Sequence, residues 1–179
     1  MTLANRITLF RILLIPVFAV LFLQESKYPI LNNWTLAVFA LAILTDFLDG
    51  MVARARKQRT RLGSFMDPLA DKLLILASFI LLTYAGKVAL WVLVTIFFRD
   101  LIIVLGWVII YILTSSSVVE PRKLGKLSTF FQMSSAIALL FQMPFEIRIW
   151  LVRAMVVVTV ISAVDYIVAY SKKLEPIPR

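Results

Sequence analysis

The chain has 179 residues, 61% of them hydrophobic and only 16% charged, and its mean hydropathy of +0.94 excludes both a soluble globule and a disordered chain. Nineteen Lys and Arg against ten Asp and Glu leave a net charge of +9, but these cations punctuate long apolar runs, which is the pattern of membrane topology and anionic head groups and not of nucleic-acid binding. With no Cys and no His, disulfides, thiolate or imidazole ligands and the corresponding nucleophiles are excluded, so chemistry must run on carboxylates, cations, hydroxyls or a bound metal.

Taken in chain order, windows of about 20 apolar residues predict six membrane-crossing helices, near residues 8–23, 34–53, 68–84, 88–113, 127–142 and 147–170. The first run is expected to be retained and not cleaved as a signal peptide: Arg11 lies inside its beginning, Pro16 interrupts it and no small-residue cleavage pattern follows. The connections at 24–33, 85–87 and 142–146 carry few cations, whereas 54–61 alone holds five. Arg6, Arg11, Arg122, Lys123, Lys126, Lys172 and Lys173 fall on the side of that basic loop. The positive-inside bias therefore expects both termini and the basic loop on the cytoplasmic side of the inner membrane. No repeat or low-complexity stretch is present, and the expectation is a single all-α, polytopic membrane domain over 1–179.

The chemistry concentrates in the second and third predicted helices. Asp46, Asp49, Asp67 and Asp71 lie within or beside these spans, where an ionised group is costly unless it is paired or wet. On a helix turning about 100° per residue, Asp46, Asp49, Gly50 and Ala53 share an arc of about 100°. Two acids thus share a face with two residues too small to block it. Asp67 and Asp71, four apart, share a face of the next helix, which the short basic loop is expected to set antiparallel beside its predecessor.

Four carboxylates gathered in a partly desolvated pocket would repel one another until some took up protons. An all-oxygen donor set suits Mg²⁺ or Mn²⁺, and two such ions can clamp a diphosphate. Gly50 and Ala53 would let a ligand approach the backbone, and Arg54 at the rim can bind phosphate oxygens bidentately. A plainer reading is available for each piece: Asp67 before Pro68 reads as an N-cap, and Ser64 with Asp67 as a capping box. Capping leaves Asp46 and Asp49, in mid-helix, unexplained. A cation channel would need polar residues along its full depth, whereas these acids cluster toward one end.

Asp46-x-x-Asp49-Gly50-x-x-Ala53-Arg54, eight residues to Gly63, three to Asp67 and three to Asp71 resembles the signature of the CDP-alcohol phosphotransferases, eight positions across 26 residues. The resemblance implies six membrane helices, a homodimer and transfer of a phosphatidyl or similar group from a CDP-linked donor to an alcohol, with release of CMP. It implies that Asp46, Asp49, Asp67 and Asp71 are the metal ligands, that Asp71 is also the catalytic base, and that Asp46, Gly50, Ala53, Arg54 and Gly63 bind the CDP moiety. The opening Asn5-Arg6-Ile7-Thr8-Leu9-Phe10-Arg11 and the run Asp67-Pro-Leu-Ala-Asp71-Lys72 are similar to two branches of the family that use CDP-diacylglycerol. One takes glycerol 3-phosphate as acceptor and is the expectation here; the other, the CMP-forming cardiolipin synthases, takes phosphatidylglycerol. The pair Arg99-Asp100 and the segment Gly125-Lys126-Leu-Ser-Thr129 lean toward the second.

Arg11, Lys72, Arg99, Arg122 and Lys126 are the candidates for an acceptor phosphate, with snorkelling to the interface as the default explanation of most. Arg99 is the exception, because it lies deep in the fourth span. It either awaits an anion or pairs with a carboxylate, for which Asp165 in the sixth span is the candidate.

Overall fold

The computed structural model describes residues 3–25, 27–56, 61–114 and 122–174, and within them it leaves the side chains of 46–56 and 61–71, among others, undescribed. Six helices follow one another: α1 (Leu3–Gln24), α2 (Leu31–Arg56), α3 (Arg61–Tyr84), α4 (Leu90–Thr114), α5 (Lys123–Leu140) and α6 (Phe145–Leu174). No strand occurs among the described residues. Each helix lies over its predicted run, with ends displaced by the polar residues that hydropathy windows discard. The largest displacement is at α3, which opens seven residues ahead of Pro68. Asp67 is therefore an interior position and not a cap, and the capping reading of Ser64 and Asp67 falls.

The chain divides into two compact units, 1–85 and 86–179. In the first, α1 packs along both α2 and α3, while the described parts of α2 and α3 touch each other only slightly. Among the described residues α1 is the helix that touches both. Phe18 of α1 and Phe39 of α2 are fully buried with ring centroids 5.3 Å apart, and Phe79 of α3 is fully buried as well. Buried hydroxyls bond within their own helix, Thr35 Oγ1 donating to Leu31 O at 3.0 Å and Ser78 Oγ to Leu74 O at 2.7 Å.

In the second unit α6 packs along both α4 and α5. Small residues allow the close crossings: a Cβ on Gly106 of α4 would run into the ring of Tyr170 on α6. Tyr170 donates its hydroxyl to Ile103 O at 3.3 Å. Between α5 and α6, Ser128 and Thr159 share a hydrogen bond of 3.0 Å, and Gln132 reaches both hydroxyls. The α5–α6 connection is a Schellman turn in which Met143 N–H donates to Ala138 O at 3.0 Å. Its left-handed position is filled by Gln142, at φ 49°, and Pro144 stops the helix two residues on.

The exterior is as apolar as the core, and the core admits polar groups. Arg11, Arg99, Gln132, Ser135, Thr159 and Ser162 are buried, while Leu13, Leu44, Ile80, Phe98, Phe130 and Val164, one from each helix, are exposed. Among the described residues, Phe145–Ser171 is long and apolar enough on its own to cross a bilayer; Leu9–Gln24, Leu31–Thr45 and Lys72–Tyr84 are shorter apolar stretches.

Candidate active site

Both halves of the acidic motif lie in the first unit and both are helical throughout. Asp46, Asp49, Gly50, Ala53 and Arg54 occupy the last third of α2, and Gly63, Asp67 and Asp71 the first half of α3. Their side chains lie outside the described residues. Helical periodicity puts Asp46, Asp49, Gly50 and Ala53 on one face of α2, and Asp67 and Asp71 on one face of α3, within about 6 Å of rise. The chemistry of the donor set fits a hard divalent cation. Four carboxylates in a chain without His or Cys offer only oxygen, and divalent cations would spare them the protonation that their mutual repulsion otherwise forces.

The first unit also holds two of the acceptor candidates. Arg11 of α1 is fully buried, so it does not snorkel; it and Lys72 at the start of the described part of α3 both have partners. A buried guanidinium on the helix that bridges α2 and α3 is the feature of this site that hydropathy reasoning missed. Its signal was present in the sequence, since Arg11 falls on the same helical face as Leu14, Phe18 and Phe22, all buried.

The remaining candidates belong to the second unit, and there one expectation is overturned. Arg99 is 4% exposed, and its Nη1 pairs with Asp100 Oδ1 at 2.6 Å, not with Asp165. Nη2 donates to Gly125 O at 3.1 Å and to Ser162 Oγ at 3.3 Å, and the guanidinium lies 5.9 Å from the Tyr166 ring centroid. Asp165 instead accepts from Arg122 Nη2 at 2.8 Å. Adjacent helical residues ordinarily diverge, which hid the Arg99–Asp100 pair from spacing arguments; a long guanidinium stem reaches back where two helix axes cannot. Gly125 is the residue that admits this arrangement. A Cβ there would sit 2.7 Å from Tyr166 Oη and 3.2 Å from Arg99 Nη2.

Arg122 is also the N-cap of α5, which opens without a side-chain cap and has no acid in its first turn. Its free N–H groups, with Arg122, Lys123 and Lys126 around them, make an electropositive helix end.

Residues 1–164, spanning all of α1 to α5 and most of α6, match the family model described as CDP-alcohol phosphatidyltransferase. The chain belongs to the CDP-alcohol phosphatidyltransferase family. A Mycobacterium tuberculosis protein named "Probable phosphatidylglycerophosphate synthase" is 36% identical over 173 residues, covering 92% of this chain and 79% of its own. The Bacillus subtilis CDP-diacylglycerol–glycerol-3-phosphate 3-phosphatidyltransferase is 33% identical over 156 residues, 81% of this chain and 80% of its own. The human CMP-forming cardiolipin synthase is 38% identical over 126 residues, 70% of this chain but only 39% of its own length. CDP-alcohol phosphatidyltransferases of both acceptor branches are thus relatives of this chain, which is an enzyme of that type.

Proposed function

We propose that this enzyme moves the phosphatidyl group from CDP-diacylglycerol to glycerol 3-phosphate and releases CMP, working as one polytopic domain over 1–179 with six membrane crossings. The observation that carries the reading is the eight-position acidic motif lying wholly within two helices, α2 and α3, packed on a common partner, α1. The relatives covered along most of their length, in Mycobacterium and Bacillus, are named for glycerol 3-phosphate chemistry. Support for the membrane comes from the outward-facing apolar side chains and from exposed aromatics at helix ends: Trp34 opens α2, Tyr84 closes α3 and Trp91 opens α4. Charge asymmetry then sets the basic connection after α2, and both termini, on the cytoplasmic side of the inner membrane. A homodimer is part of the reading by family likeness alone.

Asp46, Asp49, Asp67 and Asp71 would hold two divalent ions, Mg²⁺ or Mn²⁺, which when bound supply charge neutralisation for the diphosphate and its leaving oxygen. The chain's own residues supply the rest. Asp46, Gly50, Ala53, Arg54 and Gly63 receive the CDP end of the donor, the small residues permitting close approach and Arg54 pairing with phosphate oxygens. Asp71 accepts the proton of the acceptor hydroxyl as that oxygen attacks the lipid-linked phosphorus. The bond between this phosphorus and the bridging oxygen breaks in line, and the electron pair leaves with CMP. Arg11, Lys72, Arg99, Arg122 and Lys126 are the cations from which the acceptor-phosphate site is drawn. Within the second unit Arg122 is engaged by Asp165, and Arg99, held by Asp100, Gly125 and Ser162, has a positioning role.

A second reading, transfer to phosphatidylglycerol, is favoured by the Arg99–Asp100 pair and by the cardiolipin synthase relative. Purified protein supplied with Mn²⁺, CDP-diacylglycerol and one acceptor at a time decides between them by the mass of the lipid product. Phosphatidylglycerophosphate is expected. Cardiolipin, with no product from glycerol 3-phosphate, reverses the choice. In the same assay Asp71→Asn is expected to lower CMP release by about 10²-fold or more while leaving donor binding intact; near-normal turnover removes Asp71 as base.

A further inference from the structure

The second unit contains a cavity of about 270 Å³ where the start of α4, the end of α5 and the start of α6 meet. Three cations line it, Lys87, Arg148 and Arg153, together with an apolar wall that includes Trp91, Leu139 and Val152. None of these residues belongs to the acidic motif or to the cluster around Arg99. Arg148 and Ser162, both on α6, are separated by about 21 Å of helix rise.

Two features make this more than a crevice. First, the cations stand on the side that charge asymmetry otherwise leaves poor in cations; Glu146, exposed in the first turn of α6, is the acid nearest them in sequence and does not line the cavity. Second, the guanidiniums are held in place by rings, Arg148 lying 6.0 Å from the Phe145 centroid and Arg153 5.9 Å from that of Trp150. Arg148 Nε is buried and has no hydrogen-bond partner among the described residues, a cost that a nearby negative charge would offset. The exposed rings of Trp91, Phe145 and Trp150 mark this end as the level of the lipid head groups.

We propose that this cavity binds an anionic phospholipid of the outer leaflet, its phosphate among Lys87, Arg148 and Arg153 and the first carbons of an acyl chain along Leu139 and Val152. Its size, at the lower end of small-ligand pockets, suits a head group with a short length of chain and not a whole lipid. The proposal rests on the membrane reading but not on the transfer chemistry, so CMP release from the same vesicles separates its failure from that of the enzymatic assignment.

Trp91 is the reporter. The full chain carrying Trp34→Phe, Trp107→Phe and Trp150→Phe is reconstituted in phosphatidylcholine vesicles. Quenching of Trp91 by brominated-chain phosphatidylglycerol is then compared with quenching by brominated-chain phosphatidylcholine. Phosphatidylglycerol is expected to quench at about tenfold lower mole fraction. Arg148→Ala and Arg153→Ala should each reduce that preference about fivefold, Arg148→Lys should retain most of it, and CMP release should be unchanged in all three. Equal quenching by the two lipids overturns the proposal, as does a preference that survives the double variant Arg148→Ala/Arg153→Ala. Reversal of the preference by millimolar inorganic phosphate would assign the site to a free anion and also overturns it.

Discussion

A guanidinium inside an apolar helix has to be neutralised within reach of its own stem, and Arg99 achieves this with its neighbour Asp100, a backbone carbonyl on α5 and a hydroxyl on α6. The Arg122–Asp165 pair is more exposed, at 40% and 23% for the two side chains. Their energetic weights should differ accordingly. In thermal unfolding of the detergent-solubilised enzyme, Asp165→Asn is expected to cost less than about 1 kcal/mol. Arg99→Ala, which removes a buried cation from beside Asp100, Gly125 O and Ser162 Oγ, should cost about 3 kcal/mol or more. Equal shifts would mean that burial does not set the strength of these pairs. Gly125→Ala is expected to destabilise by about 1–3 kcal/mol, because its methyl meets the Tyr166 hydroxyl. Tyr166→Phe in the same chain should restore part of the loss, an outcome that simple helix-propensity effects do not produce.

At the level of elements, helix existence was readable from apolar runs, but helix ends were not. The α3 run opens at Arg61 because polar residues, among them Asp67 and Asp71 on either side of Pro68, continue the helix beyond the window that hydropathy detects. The α5–α6 turn shows the reverse case, a local rule broken in the sequence and obeyed by the backbone. Its left-handed position carries Gln142 where glycine is usual. Gln142→Gly should therefore raise unfolding stability by up to about 1 kcal/mol, measured as a higher melting temperature with unchanged CMP release. A lower melting temperature would show that the Gln142 side chain makes a compensating contact.

For the whole molecule, the decisive property is its orientation in the bilayer, and the absence of native Cys makes it directly measurable. Single cysteines at Gln58 and at Gly86 test the two faces. A membrane-impermeant maleimide applied to intact spheroplasts is expected to label Gly86→Cys, and to label Gln58→Cys only after the membrane is opened. The opposite pattern would invert the topology, moving the acidic motif away from cytoplasmic CDP-diacylglycerol. Gly86 stands in a turn at φ +70° with open space where a Cβ would point, so a label there meets no neighbouring side chain.

The residues themselves determine that this is a helical chain with an apolar exterior and that its acids fall on single faces of α2 and α3, because hydropathy and the helical period are local properties. They also carry a signature dense enough to identify the family. Tertiary structure alone decided which charges neutralise one another and which helix joins which. Asp165 was one possible partner of Arg99, yet the actual partners depend on where Gly125 lets α5 approach and where Ser162 points. Likewise, α1 meets α2 where the rings of Phe18 and Phe39 pack 5.3 Å apart, a contact between residues 21 positions apart that no local period encodes.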